Sequence, residues 1–345
     1  MLKSIATSVL LVLLLISCSK PEPQLFNYRL FTFGTEVTIS IYGDNQKLAD
    51  KGFTAIKNLF GKLNQQLHPW TPGELYSFNL ACSKSKPHKI SPLLKTLILE
   101  GQRFYGLSDG LFDPAIGSLV KLWKFDSAAN IHTSIPKNSE IDKIQINRPS
   151  ISQVQVSDDF AQCSNNLVRL DFGGFAKGYA TEEAIKLLQN LGIDNAIVNA
   201  GGDLTSLGSK GDKPWKIGIR NPFTPGAIAS VQTSSKTNVF TSGNYERFFE
   251  KDGQIYHHII DPQTGYPTTE IASVTVIHDS AMLADAAATA IMVSGIDHWQ
   301  EISKKMGITK LMLVSSDKKI FITPQMDALV TILDGNLTKV IESVQ

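Results

Sequence analysis

The chain has 345 residues, 33 Lys and Arg against 32 Asp and Glu, and a hydrophobic fraction of 42%. Near-neutral charge without a basic run interleaved with aromatics argues against a nucleic-acid surface, and the apolar content suffices for one large or two ordinary domains. Cys18, Cys82 and Cys163 lack metal-ligand spacing, which excludes a zinc site and a CxxC redox motif.

The first segment stands apart from the fold. Lys3 precedes an apolar run from Ile5 to Ile16, too short to span a bilayer and of the length of a signal-peptide core. It ends in Leu15-Ile16-Ser17-Cys18, which resembles a bacterial lipobox. Residues 1–18 are therefore expected to be a lipoprotein signal peptide with Cys18 lipidated, 19–25 a polar tether, and 26–345 the folded domain. An ordinary secretory signal with an incidental Cys18 is the alternative. Either route leads out of the cytoplasm, where Cys82 and Cys163 can pair or remain buried thiols.

Alternation around "FGTEVTISIY" predicts a strand or hairpin from Phe26 to Tyr42, and a helix follows from about Leu48 to Leu67. "HPWTPGELYSFN", with two prolines and a glycine, is expected to be a loop carrying Trp70 and Glu74. Ser91-Pro92 marks a helix start, with Leu93, Leu94, Leu97 and Ile98 as its apolar face. Turn chemistry at Asp109-Gly110 and Asp113-Pro114 leads into a short helix, and residues 126–150 form a polar, weakly periodic excursion.

"NLVRLDFGGFAKGYATEEAIKLLQNLGIDNAIVNAGGD" predicts strand, glycine turn, helix, strand and a second glycine turn. "SVTVIHDSAMLADAAATAIMVSG" predicts a strand and then an alanine-rich helix able to pack closely. "NYERFFEKDGQIYHHII" predicts two strands joined at Asp252-Gly253. Hairpins mixed with helices give an α+β fold of antiparallel or mixed β-sheets packed with helices, not a doubly wound parallel sheet.

Four stretches are candidates for chemistry, of which "NAGGD", a strand end opening into Gly201-Gly202-Asp203, is by itself a generic turn. In "DFGGFAKGYA" the glycines at 173, 174 and 178 let backbone N–H groups approach a phosphate at a helix N-terminus, although the spacing is neither a P-loop nor GxGxxG and a plain tight turn fits as well. Asp285 and Thr289 lie one helical turn apart, so their oxygens can meet one hard cation or be satisfied by the local backbone. On the last strand Tyr256 and His258 face one way and His257 and Ile259 the other, so only one histidine can serve a given site.

The order of these motifs, from "FGTEV" through "GELYSFN", "GLFDPAIGSLVKLW", "DFGGFAKGYA", "NAGGD" and "HHIIDPQTGYP" to "ADAAATA", resembles the ApbE family of FAD:protein FMN transferases. The resemblance implies an ApbE-like fold with the flavin site in a cleft between two parts. It implies transfer of FMN from FAD to a Ser or Thr hydroxyl with release of AMP, dependent on Mg2+. The implied metal ligands are Asp285, Thr289 and the carbonyl of Ala176; the implied flavin positions are Phe33, Trp70, Leu111, Phe112, Asp113, Gly173, Tyr179 and Ile259. His258 falls on the family's histidine, expected near neutral in pKa and able to take the hydroxyl proton.

Implied partners are flavin-bearing subunits of sodium-pumping quinone reductase or Rnf-type complexes with an Asp-x-x-Ser/Thr-Gly-Ala-Ser/Thr-like motif. The expected location is the periplasmic side of a bacterial membrane, on a lipid anchor. The sequence departs from the family pattern at Phe33, Gly73-Glu74, Lys124 (where glycine is usual) and Gln263, which bears on flavin affinity and acceptor preference. An FAD pyrophosphatase yielding FMN and AMP, and a lipid-anchored flavin-binding protein, are the rival readings.

Overall fold

Val37, Ile39 and Ile41 are buried while Thr38 and Ser40 between them are not, so the alternation in "TEVTISIYG" fixes which face of the first hairpin turns inward. In the computed structural model, which describes residues 22–126 and 134–344, β1 (Gln24–Thr32) and β2 (Thr35–Gly43) pair antiparallel. The signal segment, Cys18 and tether residues 19–21 lie outside the described residues. Strand β1 takes up the last two tether positions, Gln24 and Leu25.

After the hairpin come α1 (Gln46–Leu67), α2 (Glu74–Cys82), β3 (His88–Lys89), α3 (Pro92–Leu107), α4 (Gly117–Leu122), α5 (Asn138–Ile146), β4 (Val154–Ser157) and β5 (Phe160–Cys163). The second half runs α6 (Ala176–Asn190), β6 (Ala196–Ala200), β7 (Asp203–Leu207), β8 (Trp215–Arg220), β9 (Ala227–Thr233) and β10 (Thr237–Gly243). It continues with β11 (Phe248–Lys251), β12 (Gln254–His257), β13 (Ile271–Ile277), α7 (Ala281–Ser294), α8 (Trp299–Lys305), β14 (Leu311–Ser315), β15 (Lys319–Ile322), α9 (Pro324–Asp327), β16 (Val330–Ile332) and β17 (Thr338–Ile341).

A nine-stranded sheet in the order β1-β2-β6-β7-β10-β13-β14-β15-β17 organises the molecule, antiparallel except for β15 beside β17. One face carries α1, α6 and α7 over the main core. The other face packs β8, β9 and β16, a small antiparallel sheet, through a second core that includes Ile217, Ile228, Val231, Val239, Met312 and Val314. With both faces covered, every residue of β13 and β14 is buried, which is why they read as near-continuous apolar runs. Helices and antiparallel sheets mix as the composition of elements implied.

Helix α7 is buried on nearly all sides, and its alanines allow this. A Cβ at Gly178 of α6 would stand 2.5 Å from the carbonyl oxygen of Ala281, so the N-terminal turns of α6 and α7 touch backbone to backbone. Ser280 caps α7 by accepting from the Leu283 N–H at 3.3 Å.

Four local expectations are corrected. Glu74 opens helix α2 and does not belong to a loop; its carboxylate accepts from the Ser91 N–H at 2.6 Å, joining the starts of α2 and α3. Residues 138–146 of the supposed excursion form α5, whose sole buried side chain, Ile141, packs with Trp123 and Phe125. One inward residue in nine leaves little periodicity to detect. Residues 166–172 form no strand: Arg169 makes a single bridge to Ile116, and Leu170 is held by Asn79. His258 lies just past β12, which ends at His257.

Cys82 at the end of α2 and Cys163 at the end of β5 form a disulfide, both fully buried. Among the described residues no helix is long and apolar enough to cross a membrane.

Candidate active site

The hairpin β11–β12 turns at Asp252-Gly253 and returns to the two histidines as the sequence implied. His257 is structural. Its Nε2 lies 2.6 Å from the Thr268 carbonyl, and its Nδ1 accepts from the Ile259 N–H at 3.3 Å, so the neutral ring carries its proton on Nε2. Burial holds its pKa down at about 4, against the Thr268 bond.

The His258 Nδ1 is shut from water without a hydrogen-bond partner. Burial, then the charge of Arg247, His257 and Lys177, keep its pKa well below the ordinary value, so the near-neutral pKa expected of it does not hold. The imidazole is neutral, the form that can accept a proton.

Bracing of this segment comes from α5 and the loop after α4. The Trp123 indole N–H donates to the Gly265 carbonyl at 2.8 Å, and the Tyr266 hydroxyl donates to Asn138 at 2.9 Å. Gly265 has φ +80°, and a Cβ there would strike Ile141 at 2.6 Å. The Asp-Pro and Thr-Gly pairs thus make a tight turn that α5 clamps.

On α7, Asp285 and Thr289 share one face. The Asp285 carboxylate accepts from the Gly178 N–H at 3.0 Å, and the Thr289 hydroxyl is 2.9 Å from the Ser242 hydroxyl at the end of β10. The glycine turn sits against them: a Cβ at Gly174 would come 2.9 Å from the Phe112 ring and 3.7 Å from Thr289 Oγ1. Ala176 begins α6, its N–H bonded to the Phe172 carbonyl at 2.8 Å.

Two residues that sequence reasoning passed over complete the cluster. Lys177 Nζ pairs with the buried Asp203 carboxylate, whose other oxygen accepts from the Thr241 N–H at 3.0 Å. Burial works against the Lys177 ammonium, yet Asp203, Asp285 and Glu246 outweigh it and raise its pKa. Burial and the Asp203 charge push the Asp285 carboxyl up to about 8, against Lys177 and the Gly178 amide. The signal in the sequence was only an Asp behind Gly201-Gly202 and a Lys beside Gly178, 26 residues apart in the pair.

A hard cation fits this arrangement. Asp285, Thr289 and Ser242 offer oxygen donors, and a carboxylate disfavoured by burial and by the neighbouring Asp203 charge is relieved by a cation. Among the described residues no group of three or more His, Cys, Asp or Glu could hold a metal ion.

Phe33, Leu111, Phe112, Ala176, Tyr179 and Ile259 all belong to or pack against the main core cluster. Phe33 sits at the β1–β2 turn with φ 55°, its ring edge-on to Phe60. Phe112 is packed between Phe104 and Phe175. The Asp113 carboxylate accepts from the Ala115 and Ile151 N–H groups at 2.9 and 3.0 Å, so it ties its own turn together. Burial lifts it to about 6 in spite of those bonds. Gly173 donates its N–H to Asp171 at 2.9 Å. Trp70 stands apart from the cluster, under the Arg169 guanidinium at 4.4 Å.

The sequence model of the ApbE family matches residues 33–312. A protein of Rhodobacter capsulatus named FAD:protein FMN transferase is 34% identical over 315 residues, covering 91% of this chain and 60% of that one. This chain therefore spans under two thirds of the length of that relative. A Vibrio cholerae protein of the same name is 32% identical over 316 residues, covering 89% of this chain and 92% of that one. The crystal structure of the ApbE protein from Thermotoga maritima superposes with a TM-score of 0.80 at 31% identity, covering 89% of this chain and 99% of that chain.

Proposed function

We propose, from the premise that this chain belongs to the ApbE family, that it is an enzyme transferring FMN from FAD to a Ser or Thr hydroxyl of an acceptor protein, with release of AMP. The observation that carries the reading is the convergence of Asp285, Thr289 and the Lys177–Asp203 pair, with Lys177 acting electrostatically on the neutral imidazole of His258, whose Nδ1 has no partner.

Each residue has a task in that chemistry. The hydroxyl oxygen of the acceptor bonds to the FMN-side phosphorus, the bond from that phosphorus to the AMP phosphate oxygen breaks, and the hydroxyl proton leaves. His258 is the base that takes it, its unpartnered Nδ1 marking a ring that still awaits a polar partner. Lys177, fixed by Asp203, sets a positive charge near the pyrophosphate. Asp285, Thr289 and the Ala176 carbonyl would hold Mg2+, which when bound neutralises pyrophosphate charge and eases departure of AMP. Phe33, Leu111, Tyr179 and Ile259 supply an apolar seat for the isoalloxazine, and Trp70 under Arg169 a stacking face.

The setting proposed is extracytoplasmic, with Cys18 as lipid anchor and flavin-bearing subunits of sodium-pumping quinone reductase or Rnf-type complexes as acceptors. The Cys82–Cys163 disulfide supports an oxidising compartment.

The test mixes purified protein, FAD, Mg2+ and an acceptor bearing the Asp-x-x-Ser/Thr-Gly-Ala-Ser/Thr motif, and measures FMN mass on the acceptor and AMP in solution. Magnesium-dependent modification lost in Asp285→Ala is expected. AMP and free FMN with unmodified acceptor would assign the pyrophosphatase instead, and intact bound FAD a binding protein.

A further inference from the structure

In the small sheet the order β16-β9-β8 gives β8 one neighbour, so among the described residues no strand pairs with its outer edge. That edge borders a cleft of about 340 Å3 floored by Thr38 of β2 and Asn199 of β6. The small sheet packs on Leu204, Val239, Met312 and Val314 but reaches β6 only through the partly buried Ile197. Thr38 and Ser40 beyond it stay half-exposed. One more strand beside β8 would continue the small sheet over this bare, polar floor.

Only another backbone can satisfy a row of unpaired N–H and C=O groups in register. The exposed side chains of β8 alternate Lys216, Gly218, Arg220. A Cβ at Gly218 would meet only Ala227 Cβ, at 3.4 Å, so its glycine leaves room that packing does not demand. Arg220 lies over the Tyr245 ring at 4.5 Å and 3.8 Å from Glu246. The cleft itself is lined by Arg220 together with Glu36 and Glu246, and Lys216 lies outside its lining, a mixed field that suits an extended segment without strong net charge.

The inner end of the cleft meets the reaction centre. Gly202, Thr241 and Glu246 close it. Gly202 precedes Asp203, the Thr241 N–H donates to Asp203, and Glu246 acts on Lys177. A chain lying along β8 therefore runs into the wall that holds the Lys177–Asp203 pair.

We infer that this cleft is the docking site of the acceptor polypeptide, whose target segment adds as a strand to β8 and presents its hydroxyl at the Asp203 end. The inference rests on the transferase reading above. The occupant is an extended polypeptide because the free edge selects backbone and the reaction needs a hydroxyl borne on a chain.

The experiment uses the whole protein with FAD, Mg2+ and a synthetic peptide built on Asp-x-x-Ser-Gly-Ala-Thr. Thr38→Trp fills the floor; Lys216→Glu and Arg220→Glu reverse the charge of the edge without touching the core. Peptide KM is expected to rise by about tenfold or more in each, equivalent to about 1.4 kcal/mol or more. FAD affinity should hold, and amide exchange across residues 217–220 should slow when peptide is added to wild type. Unchanged KM in all three variants without exchange protection overturns the docking site and leaves the transferase reading standing. Weakened FAD binding in Thr38→Trp assigns the cleft to the AMP half of FAD. Protection that follows protein concentration instead of peptide assigns it to a second copy of the chain. A wild type that modifies no peptide overturns the transferase reading and the docking site with it.

Discussion

Replacing both Cys82 and Cys163 with alanine opens a loop of 81 residues between the end of α2 and the end of β5. In the chain-entropy treatment, closing a loop of that length removes about 15 cal/mol/K from the unfolded chain, or about 4.5 kcal/mol at 25 °C. At about 2.1 cal/mol/K per residue over roughly 320 ordered residues, the melting temperature should fall by about 7 °C. The loss reaches the active site through α2. Asn79 on that helix holds both backbone groups of Leu170 at 2.8 and 2.9 Å, just ahead of the turn at Gly173 and Gly174. Calorimetry on oxidised, reduced and double-alanine protein, with FAD affinity at 25 °C alongside, is the assay. Reduced and double-alanine forms should melt together, below the oxidised form, while FAD affinity at 25 °C is retained. A shift below about 2 °C would mean that the denatured chain is already constrained there, or that the bond is not formed, and would refute the reasoning.

Lys124 has φ 60°, a left-handed backbone that a side chain opposes, at the place where the family pattern has glycine. Lys124→Gly should raise stability by about 0.5–1 kcal/mol, read as a higher urea midpoint at unchanged slope. His257 is a base whose pKa falls from 6.5 to about 4 on folding, so its contribution is whole above pH 6.5 and is lost as pH falls through 4. The unfolded chain binds the extra proton in that window, and roughly 3 kcal/mol should disappear between the two values. His257→Gln, which can still donate to Thr268, should flatten the stability profile between pH 6.5 and 4 relative to wild type; equal slopes would sink the assignment of a buried neutral ring.

Legibility followed the range of the forces. The hairpin β1–β2, the cap at Ser91 and the turn at Asp252-Gly253 all rest on contacts between near neighbours, and sequence periodicity carried them. So did the one-turn spacing of Asp285 and Thr289. Helix α5 escaped because it leans on the 261–266 turn, more than a hundred residues away, with a single fully buried side chain. The stretch at 166–172 alternates like a strand but is held by Asn79 and one bridge, so its alternation marks burial without a ladder. The Lys177–Asp203 pair needed α6 laid across β7 before two ordinary-looking residues became neighbours.

The backbone contact between Gly178 and Ala281 divides the molecule by its tolerance of change. Around it no side chain can grow: a methyl group at Gly178 meets main chain, and the alanines from 286 to 288 are buried. Variation that alters which partner is used must therefore accumulate elsewhere, on surfaces where a new side chain meets water first. A combinatorial library at Ala284, Ala286 and Ala287 should yield mostly unfolded protein, whereas one at Thr38, Lys216 and Arg220 should stay folded and spread in partner choice. The chemistry and its addressing are thereby free to evolve at different rates in a single fold.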